Sequence, residues 1–315
     1  MTEAAPPVGR LVLGAMNFGA RTREDEALRI IERALSRGIT EVDTANSYND
    51  GASERIVGRA LRDLPSIKIA TKVGLARVQG KPEGLRPERI LNSVHESRER
   101  LGRPTIDLLY LHAPDSTVPL EETLGAIKTL LDTGVIRTFG ISNFASWQIL
   151  EILQTCKSLN MNIPAASQVL YNLAVRQLDI EYFAFARRYG LRTVVYNGLA
   201  GGLLSGSYPV DSPLPKSSRL GSNRIYQSRY GSLRMRQLAE GLGRIAAEHH
   251  ISLVQLAYRW LLGRPGVDSV LLGPATLAQL DAALEGVSQP LGSDAKDAID
   301  QFLSEYDGTN ANYAR

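Results

Sequence analysis

The sequence predicts an α/β fold, a parallel (β/α)8 TIM barrel, on three observations. Short apolar segments alternate with amphipathic ones along the chain, giving about eight βα units. No composition break or linker interrupts the alternation, so residues 1–315 read as a single barrel domain. No Gly-x-Gly-x-x-Gly follows the first strand, which disfavours the alternative, a doubly wound open sheet.

Taken in order, Leu11-Val12-Leu13 is the first strand, and Gly14 and Gly19 bracket a loop with Met16 and Asn17. Leu28, Ile31 and Leu35 recur at helical spacing across residues 25–37, and Gly38 stops that helix. Residues 40–43 form the second strand, 53–61 a helix and 67–71 the third strand. Pro87 opens a helix whose face carries Ile90, Val94, Ser97 and Leu101. Residues 107–111 are nearly all apolar, as a strand buried on both faces of a parallel sheet requires. Leu120, Leu124, Ile127 and Leu131 mark the next helix. Strands at 138–142, 166–168 and 192–196 follow, with helices at 147–159 and 177–189 between them. A long Gly-, Ser- and Pro-rich loop then runs after strand seven to about Leu233, a length usually reserved for function or mobility. Helices at 234–249 and 253–262, a last strand at 267–272, helices at 276–284 and 293–305, and a polar tail complete the reading.

Composition narrows the class. With 43% hydrophobic and 22% charged residues, the chain can bury a sizeable core. The net charge is +3 and no dense Lys/Arg run occurs, so no nucleic-acid partner is expected. Cys156 is the single cysteine, which excludes an internal disulfide and a cysteine-based zinc framework. The start lacks a basic flank and an apolar core of the secretory kind, and no apolar run nears the ~20 residues that span a bilayer. A reducing cytoplasm and no membrane partner are the expectations.

Four proton-active side chains end successive strands. Asp43 closes the second, Lys72 the third and His112 the fourth, while Tyr48 follows Asp43 by five residues. In a (β/α)8 barrel the C-terminal strand ends share one face, where active sites sit. A Tyr hydroxyl ordinarily titrates near ~10; a neighbouring Lys⁺ favours the phenolate, and a carboxylate would hold that Lys in place. A neutral His can donate a hydrogen bond to a carbonyl oxygen. The set suits proton delivery to a developing alkoxide. It offers no Ser–His nucleophile pair and no dense metal-ligand cluster. Each residue alone reads more blandly: Asp43 as a turn former, Lys72 as a solvated strand end, His112 as a turn cap, Tyr48 as a half-buried aromatic. The ordered set outweighs those readings.

These residues resemble the Asp/Tyr/Lys/His tetrad of the aldo-keto reductase superfamily: Glu41-Val42-Asp43-Thr44-Ala45 with Tyr48, Ala70-Thr71-Lys72, and Tyr110-Leu111-His112. The resemblance spans nearly the whole chain. It implies that Ser142, Asn143 and Gln168 bind the cofactor carboxamide and that Tyr196, followed by Asn197, stacks on the nicotinamide. The stretch containing Leu199, Gly201 and Leu203 would cover the pyrophosphate, Arg219 would contact the cofactor, and Gly273, Thr276 and Gln279 would lie at its adenosine end. The aflatoxin-aldehyde and succinic-semialdehyde reductase branch is the most similar. It implies that the C-terminal tail folds near the barrel mouth with Arg315 reaching the substrate, and it suggests a homodimer; Met16 is expected beside the substrate from its loop position and His112 from its carbonyl-orienting role. Phe18, Tyr226 and Tyr230 join the expected substrate surroundings.

The implied activity is NADPH-dependent reduction of a small-molecule aldehyde or ketone, with NADH as the alternative cofactor. Four departures bear on that choice and on the loop. Gly198 stands where relatives have Pro, implying a looser turn; Ser207 replaces a Lys, Ala275 a Ser or Arg, and Ala283 an adenine-side Asn. The competing function, also implied by resemblance, is a cofactor-binding regulatory subunit like the potassium-channel β-subunits, with little turnover.

Overall fold

The computed structural model describes residues 8–306 apart from 79, 217 and 288. Eight parallel strands close a ring in chain order: β1 Leu11–Gly14, β2 Glu41–Asp43, β3 Lys68–Val73, β4 Ile106–Leu111, β5 Ile136–Ser142, β6 Ala166–Leu170, β7 Arg192–Tyr196 and β8 Ser269–Leu272. The ring shuts where β1 pairs β8, with Val12 opposite Leu271. The predicted barrel is therefore the observed one.

Around it lie α1 Glu24–Ser36, α2 Ala52–Ala60, α3 Pro87–Leu101, α4 Leu120–Asp132, α5 Ser146–Ser158, α6 Tyr182–Tyr189, α7 Leu233–Glu248, α8 Leu253–Gly263, α9 Leu277–Gly286 and α10 Ser293–Ser304. Helical spacing decides what each buries. Ala27, Ile30, Ile31 and Ala34 form the inward stripe of α1. Pro87 starts α3, where its missing N–H costs nothing, and Gly102 ends it at φ 61°. Gly58 lets α2 approach α3, because a Cβ there would sit 2.5 Å from the Leu101 carbonyl oxygen.

The main core fills the layer between strands and helices. A smaller cluster of Ala70, Leu108, Tyr110, Ala166 and Val194 plugs the barrel itself. Below it Arg192 pairs with Glu41 at 3.0 Å and donates to Ser269 Oγ at 2.9 Å. Glu41 and Asp43, two apart on β2, thus send carboxylates to different layers of one interior, as strand alternation demands.

Several element boundaries differ from expectation. β3 extends to Val73, so Lys72 lies within the strand and not beyond it. The residues between β7 and α7 are not one open loop. They contain a 3-10 turn at Ala200–Ser205 and short helices at Arg219–Ser222 and Arg224–Tyr230. Asn caps explain the last of these, since Asn223 Oδ1 accepts from Ile225 N at 3.0 Å. The 177–189 helix is split into a 3-10 turn and α6, and a two-stranded hairpin at Arg77–Val78 and Lys81–Pro82 went unforeseen. Gly198 does not mark a loose turn: a Cβ on it would lie 2.8 Å from Leu261, so glycine admits tight packing there. Among the described residues no helix is long and apolar enough to cross a membrane, and no group of three or more candidate ligands could hold a metal.

Candidate active site

Asp43, Lys72, Tyr48 and His112 meet at the C-terminal rim of the barrel. Lys72 Nζ donates to Asp43 Oδ1, to the Thr44 carbonyl at 2.8 Å and toward the Tyr48 hydroxyl at 3.4 Å. Both members of the ion pair are buried, at 0% and 2% side-chain exposure for Lys72 and Asp43. The ammonium also lies 5.0 Å from the Tyr48 ring centre. Tyr48 and His112 pack edge to face with ring centres 5.9 Å apart.

Burial and charge set the protonation states. Burial pulls the Lys72 ammonium down, but Asp43 and Tyr48 push it up, and the balance lies above the ordinary lysine value. Burial raises the Tyr48 phenol; Lys72 pulls the other way without overcoming it. Lys72 thus acts in the expected direction, but the net shift is upward because burial outweighs it. His112 is pushed down to about 3 by burial and then by Lys72, so it is neutral near neutral pH.

The residues expected at the nicotinamide end also come together. Ser142 and Gln168 are register partners on β5 and β6. Asn143, at φ 66°, donates from Nδ2 to the His112 carbonyl at 2.9 Å and to Ser142 Oγ at 3.1 Å. Its Oδ1 accepts from the Tyr196 hydroxyl at 2.7 Å. Gln168 has a contact the sequence did not suggest, with Nε2 donating to Asp43 Oδ2 at 2.8 Å. One carboxylate therefore serves Lys72 with one oxygen and Gln168 with the other. Asn197, at φ 63°, accepts from Gly201 N at 2.7 Å and donates to the Tyr230 hydroxyl at 2.8 Å. Leu199 is half-buried and Leu203 buried, and Gly201 packs its α-carbon face under the Tyr226 ring.

Not every expected residue faces the mouth. Phe18 and Tyr230 are fully buried, so neither side chain presents a surface to a substrate. Met16 is 41% exposed at the mouth. Arg219 bonds Asn17 Oδ1 and lies 5.3 Å from the Tyr226 ring centre. Asn17 in turn donates to the Gly273 carbonyl at 3.0 Å, so three loops meet on one side chain. Thr276 caps α9, accepting from Gln279 N at 3.3 Å, while Gln279 Oε1 accepts from Ala275 N at 2.8 Å. Arg315 lies outside the described residues.

Sequence reading missed two supports. Asn49 Nδ2 donates to the Phe18 carbonyl at 2.7 Å and to that of Met16 at 3.1 Å, fastening the Tyr48 loop to the β1 loop. Glu83 is buried and accepts from Asn46 Nδ2 at 2.7 Å, Gly74 N at 2.6 Å and Ser93 Oγ at 2.6 Å. It thereby ties the loops bearing Tyr48 and following Lys72 to α3. Glu83→Gln puts an amide where one oxygen accepted, and should cost about 1–3 kcal/mol of stability, read as a lower thermal midpoint. The signal for Glu83 was a lone acidic residue in a Gly-bracketed loop, too common to single out.

A family model for the aldo/keto reductase family matches residues 10–304. The human aflatoxin B1 aldehyde reductase member 2 is 36% identical over 96% of this chain and 88% of its own length. A probable voltage-gated potassium channel subunit beta from rice is 31% identical over 84% and 83%. In shape, a glycerol dehydrogenase from Gluconobacter oxydans superposes with a TM-score of 0.81 at 28% identity, covering 97% of this chain and 94% of that one.

Proposed function

The chain belongs to the aldo/keto reductase family, oxidoreductases of carbonyl compounds, and we propose that it reduces an aldehyde or ketone to the alcohol, with Tyr48 as proton donor and NADPH or NADH as hydride source. The observation that carries this reading is the buried Asp43–Lys72 pair with the Tyr48 hydroxyl 3.4 Å from the same ammonium. The polar groups of Ser142 and Asn143 beside the half-buried Tyr196 ring suit the carboxamide and face of a nicotinamide, with Gln168 next to them on β6. When bound, that group supplies the hydride.

The chain's own residues manage the proton and the charge. His112, neutral, donates a hydrogen bond to the carbonyl oxygen and orients it. Tyr48 keeps its proton at neutral pH because burial holds its phenol high. As negative charge builds on the carbonyl oxygen, the proton leaves Tyr48 Oη for that oxygen. The Lys72 ammonium faces the phenolate left behind, and Asp43 keeps the ammonium charged and fixed.

These states predict the pH response. A donor must be protonated, and Tyr48 titrates above its ordinary value while His112 charges only near 3. The reduction rate should therefore be flat between about pH 6 and 9 and fall only in stronger alkali. Stability runs the other way with acid. Between pH 6.5 and about 3 the unfolded chain protonates His112 and the folded chain does not, so His112 makes the fold less stable as pH falls. A pH series of rates and thermal midpoints checks both.

The deciding experiment is a screen of dinucleotide consumption over aldehydes, dialdehydes, semialdehyde carboxylates, sugars and polyketide ketones. Turnover on at least one carbonyl supports the reading. No turnover on any, with dinucleotide retained through purification, would replace it with the regulatory-subunit reading that the rice relative keeps open.

A further inference from the structure

The N-terminus of α9 follows β8 at the mouth of the barrel. Helix N-termini carry unpaired amides and partial positive charge, and in barrels of this kind the loops after the last strands often hold a phosphate. In this chain that position already has an anion of its own. Glu26, in the first turn of α1, places Oε1 2.7 Å from the Leu277 amide, the first of α9. Its carboxylate is mostly shielded, at 23% exposure.

Three neighbouring donors are engaged as well. Gln279 N goes to Thr276 Oγ1, Ala275 N to Gln279 Oε1 and Leu280 N to the Thr276 carbonyl. The loop itself is fixed from the β1 side, where Thr22 Oγ1 donates to the Ala275 carbonyl at 2.9 Å. Two cations on α1 are engaged by carboxylates, Arg29 with Glu26 at 2.6 Å and Arg33 with Asp281 at 3.0 Å, and Arg219 is held by Asn17 Oδ1. Among the described residues, no Lys or Arg side chain bonds residues 273–280.

Resting on the cofactor reading above, with the adenosine end at Gly273, Thr276 and Gln279, we propose that Glu26 is a specificity-determining residue that selects the dinucleotide lacking a 2′-phosphate. A 2′-phosphate brought to this helix end meets a carboxylate already seated on its first amide. The two anions compete for the same donors and repel. A ribose 2′-hydroxyl is neutral and can donate to that carboxylate, the chemistry by which acidic side chains read NAD in other folds. Glu26 therefore discriminates by repulsion of one cofactor as much as by attraction of the other.

The test is binding, not turnover. Titration calorimetry with NADPH and with NADH is run on the full chain and on Glu26→Gln, an isosteric change that keeps an acceptor on Leu277 N. Wild type should bind NADH at least as tightly as NADPH. Glu26→Gln should tighten NADPH about tenfold and leave NADH within about twofold, with Glu26→Ala shifting the ratio the same way if Gln disturbs folding. Wild-type binding of NADPH tenfold tighter than NADH would overturn the proposal, as would an unchanged ratio in both variants. Failure of wild type to bind either dinucleotide would overturn the cofactor reading itself, and this proposal with it.

Discussion

Tyr48→Phe should lower the turnover of carbonyl reduction by about 10²–10⁴-fold, the usual contribution of a positioned general acid. The change removes one oxygen and nothing else. The ring keeps its edge contact with His112 and its place 5.0 Å from the Lys72 ammonium. Lys72 loses only the 3.4 Å contact and retains Asp43 and the Thr44 carbonyl. Dinucleotide binding and the thermal midpoint should therefore stay close to wild type, and the loss should fall on the rate. Steady-state kinetics beside a binding titration separates the two. Reduction at the wild-type rate would remove Tyr48 from the mechanism.

Lys72→Met should have the largest effect on stability. It leaves the buried Asp43 carboxylate without its cation and with Gln168 as its remaining side-chain donor. Removing one partner of a buried pair typically costs about 3–5 kcal/mol, because the other charge is stranded. Activity should vanish too, since nothing then opposes the upward pull of burial on the Tyr48 phenol. The double variant Asp43→Asn with Lys72→Met tests the cause. It carries no stranded charge, and an Asn oxygen can still accept from Gln168 Nε2, so it should regain roughly 2 kcal/mol over the single variant while remaining inactive. Denaturant titration of the three proteins reads this. A double variant no more stable than Lys72→Met would mean that packing around Lys72, not charge, is what matters.

The barrel was legible because its signal repeats. Short strands with an apolar centre alternate with helices bearing an apolar stripe, so single ambiguous segments are corrected by their neighbours. The clustering of Asp43, Lys72 and His112 was legible for the same reason: strand ends of one barrel share a face. What was hidden depends on distances that periodicity does not encode. Gln168 reaching Asp43 joins residues 125 apart in sequence, and Glu83 accepts from three separate stretches. The burial of Tyr230 was invisible because its hydroxyl is satisfied by Asn172 and Asn197, which lets a polar ring go fully inside. The short helices after β7 were masked by glycine and serine, which mark caps and turns as readily as open loops.

Closure of the ring has a consequence in time. β1 finds its second partner only in β8, and Arg10 reaches the Asp268 carbonyl 258 residues away. At ~5–20 residues per second a ribosome needs on the order of 13–50 s to travel from one strand to the other. Throughout that interval β1 presents an open edge of Leu11, Val12 and Leu13, and each added βα unit merely moves the other edge forward. The nascent chain therefore passes through a series of incomplete arcs whose apolar edges invite pairing with other chains. Ordering of the β1 edge should come last in synthesis, after residue 272, and the Asn17 junction of the β1 and β8 loops can form only then.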